Sequence, residues 1–551
     1  MTTRLTLLLS ASLICQGLSP ARAAIDHPDA AHPDPAHAAH PAQPAQPIER
    51  TSSGTITIDG KPVAYQAVAG TLVVHPHGWD DSDETVQHQT PGSDAHAIDG
   101  NPDATASMFY VAYFRKDSRP DSRPITFVYN GGPGSSSVWL HMGAFGPRRV
   151  VTNDDTHTPA SPYRLIDNPQ SLLDVTDLVF IDAPGTGFGR LNGKDKEKLF
   201  WGVDADGQAF TSFITQFLAK YGRYNSPKYL FGESYGTMRS AVLVNDLQNQ
   251  ENIDFNGVIL LSQILSYDNS VDEPALNPGM DEPFVLALPT YAATAWYHHK
   301  LPQQPADLKA FLAEVEHFAS TDYLAALQQG AALPDADRAR IVERLHAYTG
   351  LPADYIRRAD LRIDGGEFSK TLQSDDGMTT GRLDTRFSGP ALDPMSKEAD
   401  YDPQSTAISS AYVSLFNDYV RKTLNYGDGL TYRPEIDIQH WNFHHAAGGG
   451  TESDGPANVM PDLAEAMKTN PTLKIMLNAG YFDLATPYYE GVYEMRHLPI
   501  PAALQKNIEF RQYQSGHMVY ANIPALTQLH DNIADFIRRT DNQPNPASAT
   551  P

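Results

Sequence analysis

Apolar and polar positions change rhythm along this chain. Up to about Lys116 they alternate at every second residue, as in Thr55-Ile56-Thr57-Ile58, Tyr65 to Val74 and Met108 to Phe114, with a polar interruption from Asp80 to Thr105. That pattern predicts antiparallel edge strands that open a sheet. Short, largely apolar runs bounded by turn residues follow: Ile125 to Tyr129, Leu178 to Ile181, Tyr229 to Phe231 and Val258 to Ile264. Runs of this kind suit parallel strands buried on both faces. Amphipathic stretches of helical period, Ala209 to Tyr221 and Thr237 to Leu247, lie between them, and the alternation resumes with Leu473 to Leu477 and Ile508 to Tyr513. Strand, helix, strand in repetition predicts an α/β sheet. Residues 266–428 read mainly as helix, for example Asp307 to Phe318 and Asp335 to Tyr348. Their place between core strands predicts an inserted cap over a core made of residues 51–265 and 429–540.

The ends carry different material. Residues 1–24 read as a secretory signal, with Arg4 ahead of the apolar run Leu5 to Cys15 and small residues around Ala21-Arg22-Ala23-Ala24. Residues 25–50, rich in Ala, Pro and His, bury too little apolar surface to offset ordering entropy, so a disordered leader is expected there, as is a disordered tail over 541–551. His27, His32, His37 and His40 are irregularly spaced among prolines, which favours a solvated linker over a metal site. No later run approaches the roughly 20 apolar residues a membrane anchor needs. The single cysteine, Cys15, falls within the signal, which excludes a disulfide in the mature chain. An exported protein without disulfides fits a bacterial periplasm or the extracellular medium. The net charge of −25 argues against nucleic acid as a partner.

Four segments carry chemistry. Gly232-Glu233-Ser234-Tyr235-Gly236 stands directly between an apolar strand and an amphipathic helix, the context a nucleophile elbow demands, which nominates Ser234 as nucleophile. Asn130-Gly131-Gly132-Pro133-Gly134 ends an upstream strand, where glycines let backbone N–H groups approach an oxyanion; Gly132 and Tyr235 are the expected donors. Asp483 follows the strand at Leu473 to Leu477, and His517 follows that at Ile508 to Tyr513. Carboxyl ends of parallel strands share one crevice, so Ser234, Asp483 and His517 can converge, and their order is that of the α/β-hydrolase fold. No metal or other cofactor is expected: no His-Glu-x-x-His occurs, and His444-His445 precede a glycine run that reads as a flexible loop.

In combination these segments resemble the serine carboxypeptidase family, the S10 peptidases. The resemblance rests on Asn130 to Gly134, Gly232 to Gly236, Gly516-His517-Met518, and Ile181-Asp182-Ala183-Pro184-Gly185-Thr186-Gly187-Phe188. It implies an acyl-enzyme peptidase acting on peptide C-termini, with Asn130 and Glu233 holding the substrate carboxylate. A glutamate beside a carboxylate must be protonated to donate to it, so activity is expected to favour acidic pH. The chain departs from the family at Val128, at Ser135 and at Thr237-Met238-Arg239. An esterase or acyltransferase on the same triad is the alternative, and a binding protein that keeps only the scaffold is a further one.

Overall fold

A computed structural model describes residues 48–79, 104–120, 122–272, 274, 277–447 and 450–543. Its centre is a sheet built from β1 (Glu49–Ile58), β2 (Lys61–Val74), β3 (Thr105–Arg115), β4 (Ile125–Tyr129), β5 (Asp177–Ile181), β6 (Lys228–Ser234), β7 (Gly257–Gln263), β8 (Lys474–Gly480) and β9 (Ile508–Tyr513). Their spatial order is β1-β2-β3-β5-β4-β6-β7-β8-β9, with the short strand Arg190–Asn192 paired to β3. The first three strands and the β3–β5 pair are antiparallel. Every pair from β5 onward to β9 is parallel.

The apolar runs predicted as buried strands are the central ones, and every side chain of β4, β5 and β7 is buried. One face is covered by α1 (Val203–Tyr221) and α2 (Tyr235–Asn249), which contribute Phe210, Phe213, Phe217, Met238 and Leu243 to a single apolar cluster. The segment that follows β7 is mainly helical. It contains α3 (Glu282–Tyr297), α4 (Leu308–Phe318), α5 (Asp335–Thr349) and α6 (Pro403–Lys422). Asp307 starts α4 by accepting hydrogen bonds from the N–H groups of Lys309 (2.9 Å) and Ala310 (3.2 Å). Beyond the insertion lie α7 (Met460–Thr469), α8 (Tyr488–Arg496) and α9 (Ile523–Thr540). Tyr412 and Phe416 of α6 join Leu526, Leu529 and Phe536 of α9 on the second face of the sheet. The insertion also has a core of its own, around Leu288, Tyr291, Leu312 and Leu345, which takes in Phe482 and Leu484 from the turn after β8. This mostly parallel sheet with helices on both faces is an α/β-hydrolase fold.

Two expectations shift. Order begins at the end of the stretch read as a disordered leader, because Glu49 of β1 accepts a hydrogen bond from the Tyr221 hydroxyl (3.1 Å) and pairs with Lys220 and Tyr110. His445, which precedes the glycine run read as a flexible loop, is buried between Asp204 (2.5 Å) and Asp462 (2.9 Å). Burial opposes its charge, but the two carboxylates outweigh that and push the ring up to about 10, so it is a cationic clamp joining α1 to α7. The signal, the rest of the leader and residues 544–551 of the tail lie outside the described residues.

Candidate active site

β6 ends on Ser234, whose φ of 60° and ψ of −131° make the sharp turn into α2. A non-glycine residue held there costs on the order of 1–3 kcal/mol and persists because its surroundings enforce it. The enforcement is visible. A Cβ on Gly232 would stand 2.1 Å from the Gly236 carbonyl oxygen, and one on Gly236 would stand 3.0 Å from the Tyr129 carbonyl oxygen. Thr237 Oγ1 donates to the Ser234 carbonyl at 2.7 Å. Ser234 is half-buried, whereas Glu233 and Tyr235 on either side are buried, so the elbow presents the serine alone. Tyr235 opens α2, where the first N–H groups have no intrahelical acceptor and attract negative charge.

The glycine loop after β4 lies directly on this elbow. A Cβ on Gly131 would fall 2.5 Å from the N atoms of both Tyr235 and Gly236 and 2.7 Å from the Glu233 carbonyl oxygen. Gly132 follows at φ 103°. The loop is fastened at both ends, since Asn130 O accepts from Arg239 Nη1 (2.7 Å) and the Ser137 N–H donates to buried Asp182 (2.8 Å). Gly131→Ala is therefore expected to displace the loop from the elbow and to lower kcat more than it raises KM, by roughly 100-fold if one oxyanion donor is lost. Steady-state kinetics on one peptide would check this.

Asp483 and His517 meet at the carboxyl ends of β8 and β9. Asp483 Oδ1 accepts from the N–H groups of Ala485 and Thr486 (both 3.0 Å), and Oδ2 accepts from Thr486 Oγ1 (2.8 Å) and from His517 Nδ1 (2.9 Å). With Nδ1–H on the carboxylate, Nε2 is the nitrogen that can accept a proton. Burial opposes the imidazolium, yet Asp483 outweighs it and raises the ring above its ordinary value. Ser262 Oγ at the end of β7 donates to the His517 carbonyl (2.7 Å), and Gln263 beside it is in register with Ser234.

Asn130 and Glu233 also come together. Asn130 Oδ1 accepts from the Leu140 N–H (3.0 Å), which leaves its NH₂ group to act on Glu233 and on Tyr520. The Tyr520 hydroxyl donates to Glu233 Oε1 at 3.2 Å. Burial pushes the Glu233 carboxyl up to about 7, with Asp483 adding to the rise and His517, Tyr520 and Asn130 opposing it.

Sequence reasoning missed Thr486, Tyr520 and a segment of the insertion. That segment does more than cover the crevice. The carbonyls of Arg382 and Leu383 accept from the N–H groups of Leu484 (3.0 Å) and His517 (2.7 Å). Asp384, paired with Arg386 (2.7 Å), accepts from the Gly516 N–H (3.2 Å). The insertion thus clamps both the acid turn and the histidine turn. Among the described residues, no three His, Cys, Asp or Glu side chains are grouped to hold a metal ion, and no helix is long and apolar enough to cross a membrane.

A strained serine at a strand-to-helix turn, beside a glycine loop and an acid-oriented imidazole at the same end of the sheet, is the site architecture of the α/β-hydrolase class. The family described as "Serine carboxypeptidase" matches residues 93–529, and the chain belongs to that family. It is 34% identical over 146 residues to serine carboxypeptidase S10 family member 1 of Dictyostelium discoideum, covering 24% of this chain and 30% of that one. It is 33% identical over 141 residues to the pheromone-processing carboxypeptidase KEX1 of Yarrowia lipolytica, covering 25% and 21%. These matches span less than a third of either relative's length. A solved structure of a thermophilic esterase from Thermogutta terrifontis aligns over 86% of this chain and 99% of its own, at 11% identity and a TM-score of 0.33.

Proposed function

We propose that this chain is an exported serine carboxypeptidase that removes C-terminal residues from peptides without a metal ion. The observation that carries the reading is a buried glutamate of raised pKa immediately before the elbow serine, beside an Asp483–His517 pair. Ser234 Oγ attacks the scissile carbonyl carbon while His517 Nε2 takes its proton. Asp483 holds the tautomer and offsets the charge that forms, and the N–H groups of Gly132 and Tyr235 receive the oxyanion. Collapse of the tetrahedral adduct breaks the C–N bond, with His517 protonating the departing amine. Water then repeats the sequence on the acyl-enzyme, releasing the shortened peptide and restoring the serine.

Recognition of the free carboxylate falls to the Asn130 NH₂ group and to protonated Glu233. The sign of the pH effect follows. Below about pH 7 Glu233 carries a proton and donates to the substrate carboxylate; above it, two anions face each other. Protonating Glu233 also removes a charge that raises His517, so the base frees itself at lower pH. For a blocked dipeptide with a free C-terminus, kcat/KM is expected to fall as pH rises through about 7, and the C-terminal amide is expected to be a poorer substrate without that limb. Equal hydrolysis of acid and amide would overturn carboxylate recognition and point to an esterase or acyltransferase using the same triad.

A further inference from the structure

Glu233 has two oxygens in different circumstances. Oε1 accepts from the Tyr520 hydroxyl at 3.2 Å, whereas Oε2 is buried and has no hydrogen-bond partner among the described residues. A buried, unpartnered carboxyl oxygen is costly unless it is protonated or receives a partner on binding. Tyr520 lies three residues beyond His517 in the turn Val519–Ala521, and its ring is buried. Its seat is prepared by Gly143 of the helical turn Leu140–Phe145, where a Cβ would fall 2.7 Å from the Tyr520 ring and 2.6 Å from the Tyr412 hydroxyl. Of these two phenols Tyr520 touches Glu233, and Tyr412 lies close enough to feel its charge. The titratable groups acting on it are His517, Asp483, Tyr412 and Tyr520, with the neutral Asn130 amide beside them.

We propose that Tyr520 is a positioning residue for recognition of the substrate's terminal carboxylate. By donating to Oε1, it fixes which oxygen of Glu233 acts as the carbonyl and leaves Oε2 to bear the proton that is offered to substrate. Without the phenol, either oxygen can carry the proton, and the carboxyl group is free to rotate away from the arriving anion. This rests on the reading of Glu233 as a carboxylate-binding group and adds a determinant outside the glycine and elbow segments.

The test uses the full chain, a Tyr520→Phe variant and a matched pair of blocked dipeptides, one with a free C-terminus and one amidated. Measuring both substrates on one preparation makes the ratio of their kcat/KM values independent of the folded fraction. The ratio of acid to amide is expected to fall about fivefold, carried by KM for the acid, as the loss of one neutral hydrogen bond predicts. Because that bond favours the ionised form of Glu233, the alkaline limb for the acid is expected to move to higher pH. In a Glu233→Gln background, where the amide donates at every pH, Tyr520→Phe is expected to lower the ratio again without moving a limb. An unchanged ratio, whatever happens to the absolute rates, overturns the proposal, since lost packing scales both substrates together. A wild-type ratio near one overturns instead the carboxypeptidase reading beneath it.

Discussion

Ser234→Ala is expected to abolish covalent labelling by a fluorophosphonate and to lower peptide hydrolysis by a factor on the order of 10⁴ to 10⁶. The size follows from what remains. Asp483 and His517 still pair at 2.9 Å and the glycine loop still lies on the elbow, but no acyl-enzyme can form. Residual activity then comes only from polarising the carbonyl and positioning the peptide. The fold is expected to survive, because the strained turn is enforced by Gly232, Gly236 and Thr237 and not by the serine hydroxyl. Replacing His517 as well adds little further loss, since nucleophile and base act as one unit. Labelling that persists in the alanine variant would sink the assignment, and a wild-type chain that never labels would make it a scaffold that only binds.

The parallel strands could be read from the chain because strands buried on both faces leave short, largely apolar runs between turns. The elbow was legible for a similar reason: close backbone approach admits little but glycine at 232 and 236, so physics writes a local signature. Tyr520 and Asp384 leave none. Each makes one hydrogen bond across a long sequence separation, 287 residues for Tyr520 to Glu233 and 132 for Asp384 to Gly516, and nothing in their neighbourhoods announces it. The burial of His445 was not legible, because the glycine run after it describes the backbone's freedom and is silent about Asp204, 241 residues away, and Asp462. The insertion's helices were visible in their periodicity, but its clamp on the turns that carry Asp483 and His517 uses backbone carbonyls, which any residue supplies.

Arg239, where the chain departs from the family, is half of a fully buried ion pair. Its guanidinium and the Asp206 carboxylate have no exposed side-chain surface and meet through two bonds, at 2.6 and 3.2 Å. The group packs over Phe210 at 4.2 Å, and its third nitrogen donates to the Asn130 carbonyl. Arg239→Met leaves a buried carboxylate without its partner, and burial already pushes Asp206 upward against the pull of Arg239. The expected loss is about 3–5 kcal/mol in chemical denaturation. Asp206→Leu strands the cation in the same way, but the double variant replaces both charges with apolar bulk and is expected to be less destabilised than either single one. Turnover should separate from stability in this cycle. The double variant still lacks the donor on Asn130 O, so its kcat stays low after its fold is recovered, because the loop that carries Gly132 has lost one of its two fastenings. A single Arg239→Met loss below about 1 kcal/mol would mean that water or a rearranged neighbour reaches Asp206, and the pair would then not be what seats the glycine loop on the elbow.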